Sequence, residues 1–197
     1  MNLIERFRAG LSAEALAEAL DAMDGPTRLA QLRAFDGHDQ ARLFELAAGR
    51  PTTVADFVPE ETAPLTQVIH DGRNSLPAFR FFQKRFCRPS RARSPEVLFG
   101  YNEQALRLVT GPGYFVARED AFPDGGPRTV VIDYHLQPDE KPPSWPEVRP
   151  NSERLSRFVY QGTRDWMWRV SRHVTIGRAR RESGWMSNWF WLCRAEP

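Results

Sequence analysis

Arg172 stands at the centre of the pattern in this 197-residue sequence that could best do chemistry. From Trp166 the even positions run Trp166, Trp168, Val170, Arg172, Val174 and Ile176, with Met167, Arg169, Ser171, His173 and Thr175 between them. That period of two predicts one long strand with an apolar face. Trp185, Trp189 and Trp191 fall on one side of a second strand. A guanidinium carried into an aromatic interior needs compensation, because an unpaired buried cation costs several kcal/mol. One partner is the carboxylate of a small ligand whose apolar body lies against Trp166, Trp168, Trp189 and Trp191. The alternative is an internal carboxylate, or an indole on which Arg172 stacks. Tyr134 and Tyr160 would add hydroxyl contacts on the same side, or serve as core tyrosines with one wet end.

Other groupings point to other chemistry. His70-Asp71 opens the polar run His70-Asp71-Gly72-Arg73-Asn74, which reads as a turn; acid–base work is one use and plain solvation the other. Asp133, His135 and His173 would meet on an outer face if their strands are neighbours, or simply form a solvated face. Residues 88–95 form a basic, turn-rich loop beside Phe residues, and 178–181 a second basic run. Either could touch a phosphate backbone, but a solvated loop is the plainer reading, which disfavours nucleic acid. The chain holds no CxxC, HExxH, P-loop, GxGxxG or GxSxG pattern, and its four histidines are scattered. No metal and no cofactor is expected.

The elements that position these residues are short. Residues 1–50 predict a helical segment: Ser12 caps a helix carrying Leu16 and Leu20, a second carries Leu29, Leu32 and Phe35, and Asp39 caps a third ending near Gly49. Residues 50–75 read as mostly loop. The segment 76–88 fits a helix or a strand, tilted to strand by its aromatics. Strands then follow at 97–101, 105–110, 114–119, 129–137, 155–160, 166–176 and 185–193, joined by tight turns. The fold expected is α+β: short N-terminal helices packed against a strongly curved or closed antiparallel sheet formed by residues 51–197. A bent open sheet with the helices in its concave side is the alternative.

Basic residues are nearly all arginine, Lys84 and Lys141 being the only lysines. The net charge of +2 conceals an acidic stretch, residues 1–71, and a basic remainder. The simplest partner for the basic part is the acidic part of the same chain. No run of about 20 apolar residues could span a membrane. With two cysteines and no secretory pattern at the start, free thiols in a reducing cytoplasm are expected.

The closing stretch Ile176-Gly177-Arg178-Ala179, then Trp189-Phe190-Trp191-Leu192 and Arg194, resembles the last strands of small bacterial lipocalin-like proteins of the GXWXG type. Lys84-Arg85-Phe86 and Val97-Leu98-Phe99 resemble an earlier part of that pattern, although the GxWxG signature is absent. The resemblance implies a lipocalin-like barrel or half-barrel and no catalytic residue. The function expected is therefore binding of a small anionic ligand with a hydrophobic or aromatic body in an aromatic-lined cavity. The alternatives are an isomerase, cyclase or hydratase using the same cavity, or an interaction module. Oligomeric state is left open.

Overall fold

The computed structural model describes residues 2–76, 80–93, 96–104, 111–148 and 162–196. The expected strands at 105–110 and 155–160, the latter with Tyr160, lie outside these residues.

Four helices come first: α1 (Leu3–Arg8), α2 (Ala13–Asp21), α3 (Gly25–Leu32) and α4 (Gly37–Leu46). Each begins where a short polar side chain satisfies an exposed backbone N–H. Asn2 does this for α1, Ser12 for α2 and Asp24 for α3, with Pro26 in the first turn. The cap of α4 is Asp36 rather than the expected Asp39, which instead closes a reciprocal capping box from the third helical position. A single turn, α5 (Val54–Phe57), then leads into the sheet.

Eight strands follow: β1 (Val68–Asn74), β2 (Phe81–Cys87), β3 (Val97–Glu103), β4 (Phe115–Ala121), β5 (Arg128–Asp133), β6 (Arg164–Arg169), β7 (Val174–Arg181) and β8 (Gly184–Arg194). Each pairs antiparallel with the next, and β8 returns to β1, where Gly72 faces Leu192 and Asp71 faces Cys193. The sheet is therefore a closed barrel, and the open-sheet alternative falls.

Two expectations change at this level. Residues 68–74, read as loop and turn, form β1. The single strand expected over 166–176 is two, β6 and β7, joined by a hairpin turn in which the Val170 and Ser171 amides both reach the Val174 carbonyl (2.9 and 3.0 Å). Val170 and Val174, four apart, both face the same side of the sheet, so the alternation passes through the turn undisturbed.

Alternation sorts the core into an interior and two exterior layers. Inside lie Phe86, Leu98, Phe115, Ala117, Val130, Ile132, Tyr134, Met167, Phe190 and Leu192, with Val54, Phe57 and Val58 of the α5 region closing one end. Outside, the N-terminal helices bury Leu3, Phe7, Leu16, Leu20, Leu32, Phe35 and Leu43 against Trp168, Val170, Val174, Ile176, Trp191 and Cys193. On the opposite wall Trp145 packs on Tyr101 and Tyr114, with ring centroids 4.9 and 6.4 Å away.

Three interior glycines each face a phenylalanine on the neighbouring strand: Gly72 opposite Phe82, Gly100 opposite Phe115, Gly177 opposite Phe190. The missing side chain lets each ring lie over the backbone. A Cβ on Gly100 would run into the Phe115 ring and sit 2.6 Å from the Arg85 carbonyl oxygen, which cannot move. One on Gly72 meets only the ends of the Phe82 and Leu192 side chains, at 2.7 and 3.0 Å. Both alanine substitutions are expected to cost about 1–3 kcal/mol, Gly100→Ala more than Gly72→Ala. Denaturant unfolding checks the ranking; equal costs would mean that the rings, not the backbone, set the penalty.

Candidate functional site: a caged lysine inside the barrel

On β2 the inward positions are Phe82, Lys84 and Phe86, which puts a lysine into the lumen at 2 % exposure. Its register partner on β3, Asn102, accepts from Lys84 Nζ at 2.9 Å. Asp165 reaches the same ammonium from β6, on the far wall, at 3.3 Å. Tyr134, directly after β5, takes a third hydrogen bond from Lys84 and lies 3.3 Å from Asp165 Oδ2. Asn102 is held in turn by donating to the Gly113 carbonyl and to Tyr134 Oη, at 3.0 and 3.1 Å. Four rings surround the ammonium: Phe190 and Tyr134 at 5.0 Å, Phe115 at 5.2 Å and Phe82 at 5.6 Å. Three of these are the rings seated on the interior glycines, so the glycines build the cage.

Burial dominates the electrostatics and disfavours charge on both partners. It pushes the Lys84 ammonium below the usual lysine range, with Asp165 opposing. It pushes the Asp165 carboxyl up, with Lys84 and the Tyr134 hydroxyl opposing. The two groups are thereby drawn towards a neutral amine beside a neutral acid, a state an arginine could not reach.

Beside Lys84 in the lumen His70, opposite it in the β1–β2 register, is buried between Phe57 and Phe86. Its Nε2 contacts the Phe57 carbonyl at 2.9 Å, and among the described residues its Nδ1 has no hydrogen-bond partner. The expectation of a solvated turn histidine is corrected: Gly72 is not a turn residue but the seat for Phe82. Arg194 holds the Asp56 carbonyl and Arg88 the Val58 carbonyl, at 2.9 and 2.7 Å. Glu119 accepts from the Val54 N–H at 3.3 Å, so His70 is one of several side chains that peg the α5 region into the end of the barrel.

The residues singled out from the sequence are distributed differently from that expectation. Arg172 lies exposed in the β6–β7 turn, its backbone N–H bonded to the Asp21 carboxylate at 3.1 and 3.2 Å. It therefore carries no charge into the interior. Trp166, Trp168, Trp189 and Trp191 face outward, away from the lumen; Trp168 and Trp191 sit under the helices, Trp166 packs on Phe122, and Trp189 stacks on Arg178. Tyr134 alone among the described candidates points inside, opposite in sense to the tryptophans it was grouped with. Asp133 and His135 do meet, at 2.8 Å, but with Arg118 and Arg164 on the outer wall and without His173. Hydrogen bonds from His135 and Arg164 outweigh burial there and hold the Asp133 carboxyl below its usual range. In the basic loop, Arg88 pairs with Glu96, and Arg93 with Asp139 and Glu140.

An outer cleft of about 300 Å³ between the end of α4 and the β4–β5 turn is lined by Phe122, Trp168, Trp185 and Arg178. It comes nearest to the arginine-among-tryptophans site read from the sequence, with Arg178 in the cation's place. Among the described residues no group of histidine, cysteine and acidic side chains could hold a metal ion. No helix among them is long and apolar enough to cross a membrane.

An eight-stranded up-and-down antiparallel barrel with an ionisable cluster in its lumen is the class this fold and site define. Comparison with protein-family models, with curated proteins and with solved structures gives no match.

Proposed function

We propose that the barrel binds a small, largely apolar molecule whose anionic or carbonyl head group meets Lys84. The observation that carries this reading is the Lys84–Asp165 pair itself, kept with Tyr134 and Asn102 in a lumen otherwise filled by aromatic and aliphatic side chains. A buried ion pair is a poor source of stability, since apolar residues of similar volume commonly serve as well or better. Ionisable groups with displaced protonation equilibria, gathered in an interior, are more often there for a ligand. An eight-stranded barrel has an interior that side chains can just fill or that can hold one small ligand, so a ligand here would take its place by displacing side chains of the lumen. An anionic head is accommodated when Asp165 carries a proton, which its burial favours.

The test is native mass spectrometry and thermal shift with medium-chain fatty acids, aromatic acids and the matching aldehydes. At ligand concentrations a hundredfold above Kd, binding is expected to stabilise the protein by about 2.7 kcal/mol. Lys84→Gln should weaken binding at least tenfold, and Arg172→Ala should leave it unchanged. Equal binding by wild type and Lys84→Gln would move the ligand elsewhere, the Trp168–Trp185 cleft being the next place to look.

A second reading is turnover on the same ligand, of isomerase, cyclase or hydratase type. It is favoured by His70, a buried imidazole whose Nδ1 finds no partner among the described residues, on the strand beside Lys84. Either reading goes with a reducing bacterial cytoplasm. Cys87 and Cys193 are free, buried thiols, pushed up to about 12 and about 11 by burial and so inert.

A further inference from the structure

We infer that Lys84 is an imine-forming amine and that the ligand class it selects is an apolar aldehyde or ketone. This rests on the binding reading above and deepens it. Lys84 and Lys141 are the only lysines among 27 basic residues. Lys141 donates to the Trp145 carbonyl on the outer wall. At the centre of the lumen, where a guanidinium would have remained charged, the chain has the one basic side chain that can become a nucleophile. The aromatic cage desolvates that amine, and Asp165, 3.3 Å away, is the acid that imine formation needs. Access is from the side of Phe82, since it is the half-buried ring of the cage while Phe115, Tyr134 and Phe190 are 4 % exposed or less.

The step balances without any further reagent. The Lys84 nitrogen lone pair attacks the carbonyl carbon, and the carbonyl oxygen takes the proton of the Asp165 carboxylic acid. The new ammonium returns a proton to Asp165, leaving a neutral carbinolamine. Asp165 then protonates the hydroxyl, the C–O bond breaks as water departs, and the nitrogen lone pair closes the C=N bond. The product is a protonated imine with the Asp165 carboxylate as counter-ion, Tyr134 and Asn102 holding the two groups in place. Asp165 acts on the reacting oxygen directly; Asn102 is a positioning residue.

The experiment uses the full chain carrying Lys141→Arg, cinnamaldehyde as probe, and sodium cyanoborohydride to reduce any imine at pH 7. Peptide mass spectrometry locates the adduct. An ordinary lysine, protonated near pH 10, loses to the chain's α-amino group at pH 7. Lys84 is expected to win instead, with one adduct per chain, and to lose that preference in urea above the unfolding midpoint. Asp165→Asn should slow the adduct about 100-fold, and Phe82→Ala should speed it. Labelling of the α-amino group with Lys84 untouched overturns the inference, as does a preference for Lys84 that survives unfolding. Cinnamate and cinnamyl alcohol, which cannot form an imine, are run beside it by thermal shift. If they bind and no adduct forms, only the imine falls; if nothing binds and nothing reacts, the binding reading falls with it.

Discussion

Lys84→Met alone is expected to destabilise the protein by about 3–5 kcal/mol, because it strands the Asp165 carboxyl in a lumen where it is 6 % exposed. For a chain of this length that is a drop in Tm of about 10 °C. The penalty should depend on pH in a definite sense. Without Lys84, which holds the Asp165 carboxyl down, burial raises it further above its unfolded value. A carboxyl raised in the folded state holds its proton there, so the variant is least impaired in acid. It loses stability as pH rises from the ordinary aspartate range, near 4, through the raised folded value. The double variant Lys84→Met/Asp165→Leu should regain most or all of the loss, since an apolar pair can fill the same space. The Asn102 amide N–H groups keep the Gly113 carbonyl and Tyr134 Oη, and the Asn102 Oδ1, losing Lys84, is left with the Tyr134 hydroxyl at 3.5 Å as its donor. Recovery with loss of ligand response would mean the pair is retained for chemistry. A double variant as unstable as the single one would mean that the pair holds the barrel together, and the functional reading would lose its foundation.

The sheet was legible where alternation and turn residues act locally. The aromatic strand near the C-terminus, the strand around Val130 and Ile132 with Tyr134 on their face, and the capping roles of Ser12 follow from periods and side-chain chemistry that the backbone obeys. Arg172 was misplaced for a physical reason. A period-two pattern continues through a hairpin whose flanking residues are an even number apart, so periodicity could not show the break. Nor could it say which face of a closed barrel is the inside. Tryptophan rows look like a lumen when the helices that bury them from outside are not yet placed.

The site itself was hidden by distance along the chain. Lys84 on β2 and Asp165 on β6 are separated by 81 positions in sequence and approach across the lumen from opposite walls, a contact that exists only after closure. One signal was present. Glycine recurs within strand-like runs at Gly72, Gly100 and Gly177, which marks close approach of something bulky. Reading Gly72 as a turn concealed β1, and with it the burial of His70.

Acidification from pH 6.5 to pH 4 is expected to cost about 3 kcal/mol through His70 alone. Burial, with Arg194 adding to it, lowers its imidazolium pKa to about 3 against the hydrogen bond to Phe57. The folded value lies below the unfolded one, near 6.5, so between these pH values the unfolded chain binds the extra proton. Stability therefore rises with pH across that window, by about 1.4 kcal/mol per unit, and is fully present above 6.5. Other groups titrate in the same range, Asp165 with the opposite sense, so the readout is the difference between two curves. His70→Gln keeps a donor for the Phe57 carbonyl and removes the titration. It should lower stability at pH 7 by an amount set by lost stacking on Phe57 and Phe86, and should lose less than wild type on acidification. The two curves should converge towards pH 4. Parallel curves would mean that His70 takes up its proton in place, through local release of the α5 plug. The protection of the α5 amide protons, relative to their intrinsic exchange at each pH, would then fall below pH 6, before the barrel itself gives way.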